Sequence, residues 1–369
     1  MARSIAVAEL PLLSAVVARL ADPDVHMAAY SGIVFPLALV IESPIIMLLT
    51  ASTALSRNSR AYKKMWRMMT WMSVVLTLGH VAIAFTPLYD FVARTIIGAP
   101  EDIIEPGRIG LQIMTPWTWA IAHRRFNQGV LIRFGHSKTV TWGTLTRLFA
   151  VLSVLFICYA MAKRAGLPEL GIVAATAAVS AGVVIEALYI AWKVRPVVRD
   201  ILPTARSNEP PLNRKRFISF YIPLALSPLL GLAAQPMLTA GISRMPSPTE
   251  SLAILPALNG FTFLFRSISL AFLEVVVALV ERPDGYVALR RFAWQAALSV
   301  FCLQLLIVAS PLANGWFGTV SGLDTNLAKL ASQAVWAALT LAAFGFGSSF
   351  FPGLLVHSHS TRSVTQSVA

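Results

Sequence analysis

Residues 11–20 read PLLSAVVARL and residues 236–245 read PMLTAGISRM. The two stretches align without a gap at an offset of 225, with four identities and five conservative exchanges. Working outward, Pro23 meets Pro248 and Ala28 meets Ala253 at the same offset. A second stretch, 129–143 (GVLIRFGHSKTVTWG), aligns with 353–367 (GLLVHSHSTRSVTQS) at an offset of 224, with Lys138 opposite Arg362. Both matches include loop residues, where composition is less biased than in apolar helices. They mark an internal duplication.

The duplicated unit belongs in a membrane. Of the 369 residues 56% are hydrophobic and only 13% charged, at a mean hydropathy of +0.69, whereas about a quarter of a soluble protein is charged. Apolar runs cover 5–20, 27–55, 70–93, 109–122, 140–162, 168–192, 217–242, 251–280, 291–313 and 327–356. Most reach the roughly 20 residues a helix needs to cross about 30 Å of hydrocarbon; the first and fourth are short. No alternating pattern suggests a barrel, so these runs are expected as helices, which satisfy their own backbone groups in lipid. The expected fold class is an all-α integral membrane protein.

The net charge of +13 and pI near 10.3 fit a membrane protein better than a nucleic-acid partner, because no basic stretch is interleaved with aromatics for base stacking. No nucleic acid is expected. Lys and Arg concentrate on one set of loops, including 57–67, 124–138, 193–216 and 282–291, with 20 such residues against seven on the alternate loops. The richer side is expected to be cytoplasmic, in the cell membrane. The connection 193–216, with Pro203, Pro210 and Pro211, reads as the linker between an N-terminal lobe, 1–192, and a C-terminal lobe, 217–369.

Six helices per repeat is an even number, so both halves share one orientation and form parallel repeats about an axis along the membrane normal. The offset also sets expectations at the ends. The counterpart of position 217 falls before Met1, so the first helix is expected to lack its opening turns. Runs five and six, 140–192, have counterparts at 364–416, whereas the sequence ends at Ala369. Six plus four helices are therefore expected, of six plus six. A signal peptide at the N-terminus is disfavoured by Glu9, which interrupts the apolar stretch, and by the lack of an A-x-A site.

This layout resembles the multidrug and toxic compound extrusion (MATE)-like exporter and flippase superfamily, two six-helix lobes joined by a cytoplasmic linker. The second half looks most like the progressive ankylosis (ANK) branch through Ser219-Phe220, Pro223-Leu224-Ala225-Leu226, Pro236, Ser243-Arg244 and Thr249-Glu250-Ser251-Leu252-Ala253-Ile254-Leu255. The resemblance implies alternating-access export of a small organic or anionic solute, coupled to H⁺ or Na⁺. The alternatives are a non-transporting remnant or membrane scaffold, a lipid-linked flippase, and a membrane enzyme.

Ionisable residues inside membrane spans are costly, and by default they are functional candidates. Glu42 and Arg266 lie near the centres of their runs and, at the repeat offset, in almost equivalent positions. If their helices face one cleft, the two charges can pair when it is empty and part around a ligand; the other reading satisfies each within its own lobe. Glu274, Glu9 and Glu186 are further substrate or ion candidates. Arg147 lies near a helix end and can snorkel. His80 is either hydrogen-bonded core or a proton relay. Pro36, Pro44, Pro223, Pro228 and Pro236 are hinge candidates, since each removes a backbone hydrogen bond.

An enzyme is not expected. The six histidines are scattered, and no nucleophile cluster or P-loop is present. Cys158 and Cys302 sit in apolar runs and read as small hydrophobes. No metal or cofactor is expected. The expected partners are the lipid bilayer and a small-molecule or ion substrate, with no oligomeric state readable.

Overall fold

A computed structural model describes residues 9–165, 170–205, 212–279 and 284–357. Among these the chain is helical throughout, with ten principal helices: α1 Glu9–Val17, α2 Pro23–Leu55, α3 Ser59–Phe85, α4 Thr115–Arg133, α5 Ser137–Ala165, α6 Leu170–Lys193, α7 Arg214–Ile242, α8 Leu255–Leu279, α9 Gly285–Val308 and α10 Leu341–His357. Six helical stretches, in α2, α3, α5, α6, α8 and α9, are long and apolar enough to cross a membrane. It is an all-α membrane protein.

The helix starts follow local chemistry. Asn58 caps α3 by accepting from the Ala61 N–H, and Asp324 caps the short helix Thr325–Ala334 by accepting from Leu327. Two helices begin at prolines, Pro23 and Pro248, each preceded by a left-handed residue, Asp22 (φ 45°) and Ser247 (φ 51°). These are repeat positions, 225 apart. A second recurrence, at 224, follows α3 and α9. Thr86-Pro87-Leu88 and Ser310-Pro311-Leu312 turn the same way, each hydroxyl accepting from the N–H two residues on. A π-helical turn comes next, Phe91–Ile97 or Trp316–Val320, and then a left-handed glycine, Gly98 (φ 70°) or Gly322 (φ 73°). The duplication read from sequence is present in the backbone.

The fourth helix corrects the sequence reading. The run expected at 109–122 continues to Arg133, after a break at Met114 that precedes Pro116. Arg124 and Arg125, counted as loop residues from sequence, therefore lie on a helix, and Arg124 is buried. The expected tenth run, 327–356, is two pieces, Thr325–Ala334 and Leu341–His357.

The chain forms two compact units. Among the described residues, one comprises 20–253 and the other 9–19 with 254–357. These units do not divide at the linker 193–216, because α1 groups with the helices of the second repeat and α7 with those of the first. In the first unit α7 packs on α2, where the Tyr221 hydroxyl donates to the Pro44 carbonyl, and Ser31 donates to Leu252. In the second unit α1 packs on α8, where a Cβ at Gly260 would come within 2.9 Å of Pro11.

The two quoted stretches end in the residues that fix this grouping. Arg244 donates to the Ile97 carbonyl, 3.2 Å away, beside Gly98. Arg19 donates to the Thr319 carbonyl, 2.9 Å away, beside Gly322. Each also bonds the carbonyl four residues back in its own helix, Ala240 or Ala15. One guanidinium thus holds the glycine turn within each unit, and the pair obeys the repeat.

Candidate functional site

The largest concentration of buried charge lies inside the first unit, where α2, α4, α5 and α6 meet. Glu186 of α6 is fully buried. It accepts from Arg124 Nη1 at 2.6 Å and from Gln128 Nε2 at 3.0 Å, with Arg147 Nη1 3.9 Å away. Arg124 and Gln128 are four residues apart on α4 and so share a helix face. Room for the long side chains comes from glycines on the facing helices. A Cβ at Gly182 would lie 3.2 Å from Arg147, and one at Gly143 3.5 Å from Glu186.

Glu42 belongs to the same interior. It is 5% exposed, and Arg125, Arg124 and Arg147 act on it electrostatically. Unlike Glu186, it has a buried carboxylate oxygen, Oε2, with no hydrogen-bond partner. Arg125 is also under-bonded, its Nε being buried and unpartnered. The ionised cluster carries three arginines and two carboxylates, one surplus positive charge. A buried charge is tolerated best when paired and bonded; Glu186 meets that condition, whereas Glu42 keeps one oxygen unbonded.

The backbone around Glu42 is interrupted on both sides. A π-helical turn at Tyr30–Val34 precedes Phe35–Ile46, and the helix breaks at Met47 before resuming at Leu48. Pro36 stands just after the first irregularity and Pro44 just before the second. The missing Pro44 N–H frees the Val40 carbonyl, which accepts instead from Ser43 Oγ at 2.8 Å. Gly129 then brings α4 against α2, where Thr53 Oγ1 donates to the Gly129 carbonyl at 3.1 Å.

The other sequence candidates lie elsewhere. Arg266 is an exposed residue of α8 in the second unit, and Glu9 is buried near the start of α1. The side chains of Glu274, Pro223 and Pro228 lie outside the described residues, while Pro236 is half-buried on α7. His80 is buried core: Nε2–H donates to the Leu111 carbonyl at 2.9 Å, so Nδ1 accepts from the Thr118 hydroxyl at 2.8 Å. Arg147 turns inward to Glu186 rather than snorkelling. Among the described residues no three His, Cys, Asp or Glu side chains are grouped to hold a metal.

No family model and no curated protein sequence matches the chain. Solved structures do. The chain superposes on the inward-facing conformation of a multidrug resistance MATE family transporter of the MOP superfamily with a TM-score of 0.67, covering 96% of this chain and 84% of that one at 17% identity. The fold is that of the MATE transporters. A second MATE structure, the eukaryotic transporter AtDTX14, matches with a TM-score of 0.60 at 14% identity, over 97% of this chain and 80% of that one. Within this MATE fold, Glu42 and Glu186, two of the sequence candidates, share a buried interior with Arg124, Arg125 and Gln128, which the sequence reading did not single out. The signal was there. After the charged pair, Phe126 and then Val130, Leu131 and Ile132 are apolar again, at spacings a continuing helix allows.

Proposed function

We propose that the chain is an alternating-access exporter of a small organic or anionic solute, coupled to H⁺ or Na⁺, in which Glu42 carries the coupling ion. The observation that carries this reading is a buried carboxylate with one unpartnered oxygen, set among three arginines on a helix interrupted before and after it. A proton or Na⁺ on Glu42 cancels its charge and shifts the balance felt by Arg125 and Arg147. The breaks beside Pro36 and Pro44 let α2 respond without unwinding a continuous helix. The MATE fold and the multidrug resistance named for the first structural neighbour support solute export. The Lys- and Arg-rich face is taken as cytoplasmic, in a cell membrane.

The test uses the purified chain in proteoliposomes under an imposed pH or Na⁺ gradient, with ethidium and citrate as probes. Gradient-driven movement is expected from the parent, little from Glu42→Gln, and an unchanged rate from Arg266→Ala. If Glu42→Gln moves either probe as fast as the parent, Glu42 does not carry the coupling ion. If a folded parent moves neither probe under either gradient, a scaffold fits better than an exporter.

A further inference from the structure

The first unit contains a cavity of about 590 Å³ where α3, α4 and the chain just beyond α6 meet, within the range of small-molecule pockets, roughly 300–1,000 Å³. Its walls come from three segments of the chain itself: Tyr62 and Trp66 of α3, His123 and Asn127 of α4, and Val194 and Arg195 after Lys193. Two of the rings are held in place, Tyr62 by Phe126 at a ring separation of 5.5 Å and His123 by Trp119 at 4.6 Å. Where the described chain resumes beyond the linker, the Leu212 carbonyl accepts from Lys64 Nζ at 2.8 Å. Lys64 is two residues from both Tyr62 and Trp66, and so lies on the opposite face of α3.

The fold leaves the polar groups of this cavity unused. Asn127 is 6% exposed, yet its side-chain amide bonds nothing among the described residues. His123 Nε2 is buried without a hydrogen-bond partner. Buried polar groups are normally bonded, so two unbonded ones lining one cavity, four residues apart on one helix face, mark a place for a ligand. Arg195 is exposed at the edge of the cavity and makes no ion pair among the described residues, whereas Arg199 lies 3.8 Å from Asp200. One guanidinium is left uncompensated. The duplication shows that the architecture does not require this lining, because at the 224 offset Trp66, His123 and Asn127 correspond to Arg290, Gly347 and Phe351.

The free donors select the ligand. A guanidinium, an amide NH₂ and the Tyr62 hydroxyl, which also bonds nothing among the described residues, suit the three terminal oxygens of a phosphate monoester better than the two of a carboxylate. The Trp66 ring and Val194 give the cavity an apolar side. We propose that this cavity binds a phosphate monoester, with the phosphate on Arg195 and Asn127 and the carbon portion against Trp66. The same chemistry is offered by a lipid headgroup and by a soluble phosphate ester. Tyr62 and Trp66 lie in the Lys- and Arg-rich stretch 57–67 and Arg195 in 193–216, so the ligand enters from the side taken as cytoplasmic. The site is independent of export.

Native mass spectrometry of the purified chain in detergent tests it, with dioleoylphosphatidic acid and glycerol 3-phosphate as probes and dioleoylglycerol as the phosphate-free control. The parent is expected to retain a phosphate ester in preference to dioleoylglycerol. Retention of phosphatidic acid alone makes the ligand a lipid headgroup; retention of glycerol 3-phosphate makes it a soluble ester. Arg195→Ala and Asn127→Leu should each lower that retention about tenfold, as the loss of a hydrogen bond to a charged group does, while Arg290→Ala should leave it unchanged. Arg195 is exposed, so its variant is expected to keep the parent's melting temperature without probe, which separates lost binding from lost folding. If the parent retains neither ester above dioleoylglycerol, or if Arg195→Ala retains as much as the parent, the site is overturned.

Discussion

Glu186 and Glu42 have the same side chain in the same interior but different situations, and substitutions should separate them. Arg124→Ala leaves the Glu186 carboxylate buried without its closest cation, and breaking such a pair costs about 3 kcal/mol. The expected result is a clear fall in melting temperature in detergent. Glu42→Gln removes a charge that has an unbonded oxygen, so its melting temperature should hold or rise while gradient coupling is lost. Both carboxylates were legible in the sequence, because an acid in an apolar run is conspicuous. Their arginine partners were not. Arg124 and Arg125 end a hydropathic run as a loop does, and only packing shows that α4 carries them inward. His80 stood out equally, but its two hydrogen bonds consume both ring nitrogens.

At the scale of single elements, turns and close helix contacts give sharper tests than the helices do. A Cβ at Gly129 would lie 2.4 Å from the Leu49 carbonyl oxygen and 3.0 Å from the Thr53 nitrogen, both backbone atoms that cannot swing away. Gly129→Ala should therefore destabilise by roughly 1–3 kcal/mol. Gly79→Ala on α3, where nothing lies within 4 Å, should stabilise by roughly 0.5–1 kcal/mol, and chemical denaturation of the pair measures the contrast. The turn after α3 adds a pH dependence. Arg108, donating to Asp90 at 2.7 Å, holds that carboxyl below its ordinary 3.8, and Arg94 holds Glu101 below its ordinary 4.5. Carboxyls lowered on folding stabilise above their unfolded values and lose that contribution as pH falls through the folded ones. The melting temperature should drop below about pH 4.5, and it should drop less steeply in an Asp90→Asn, Glu101→Gln variant. The turn's recurrence after α9 was hidden in sequence, because Pro87-Leu88 and Pro311-Leu312 are too short a match to notice without the backbone.

For the whole molecule, the duplication and the all-helical class followed from hydropathy and two short alignments, since periodic apolar runs and loop residues survive in one sequence, and the MATE fold was implied by resemblance of layout and of short motifs in the second half. The grouping of helices did not, because it depends on which faces meet. Orientation remains a matter of Lys and Arg bias, and labelling decides it. In a chain with Cys158 and Cys302 replaced by Ala, a cysteine at Ala205 should resist an impermeant maleimide in intact cells and one at Ala99 should react. The opposite pattern inverts the topology. The two arginine clamps also bear on how the protein is made. Helix α1 emerges first, but its partners in the second unit begin at Ile254, roughly 230 residues later and about 12–45 s away at ordinary rates of synthesis. Arg19 has no Gly322 turn to grip until later still, its partner Thr319 being 300 residues on, and the first unit stays open until α7 brings Arg244 to Gly98. Neither half of the gene encodes a finished body. Residues 1–205 made alone should be cleared by membrane proteases, and co-expression of 206–369 should rescue them.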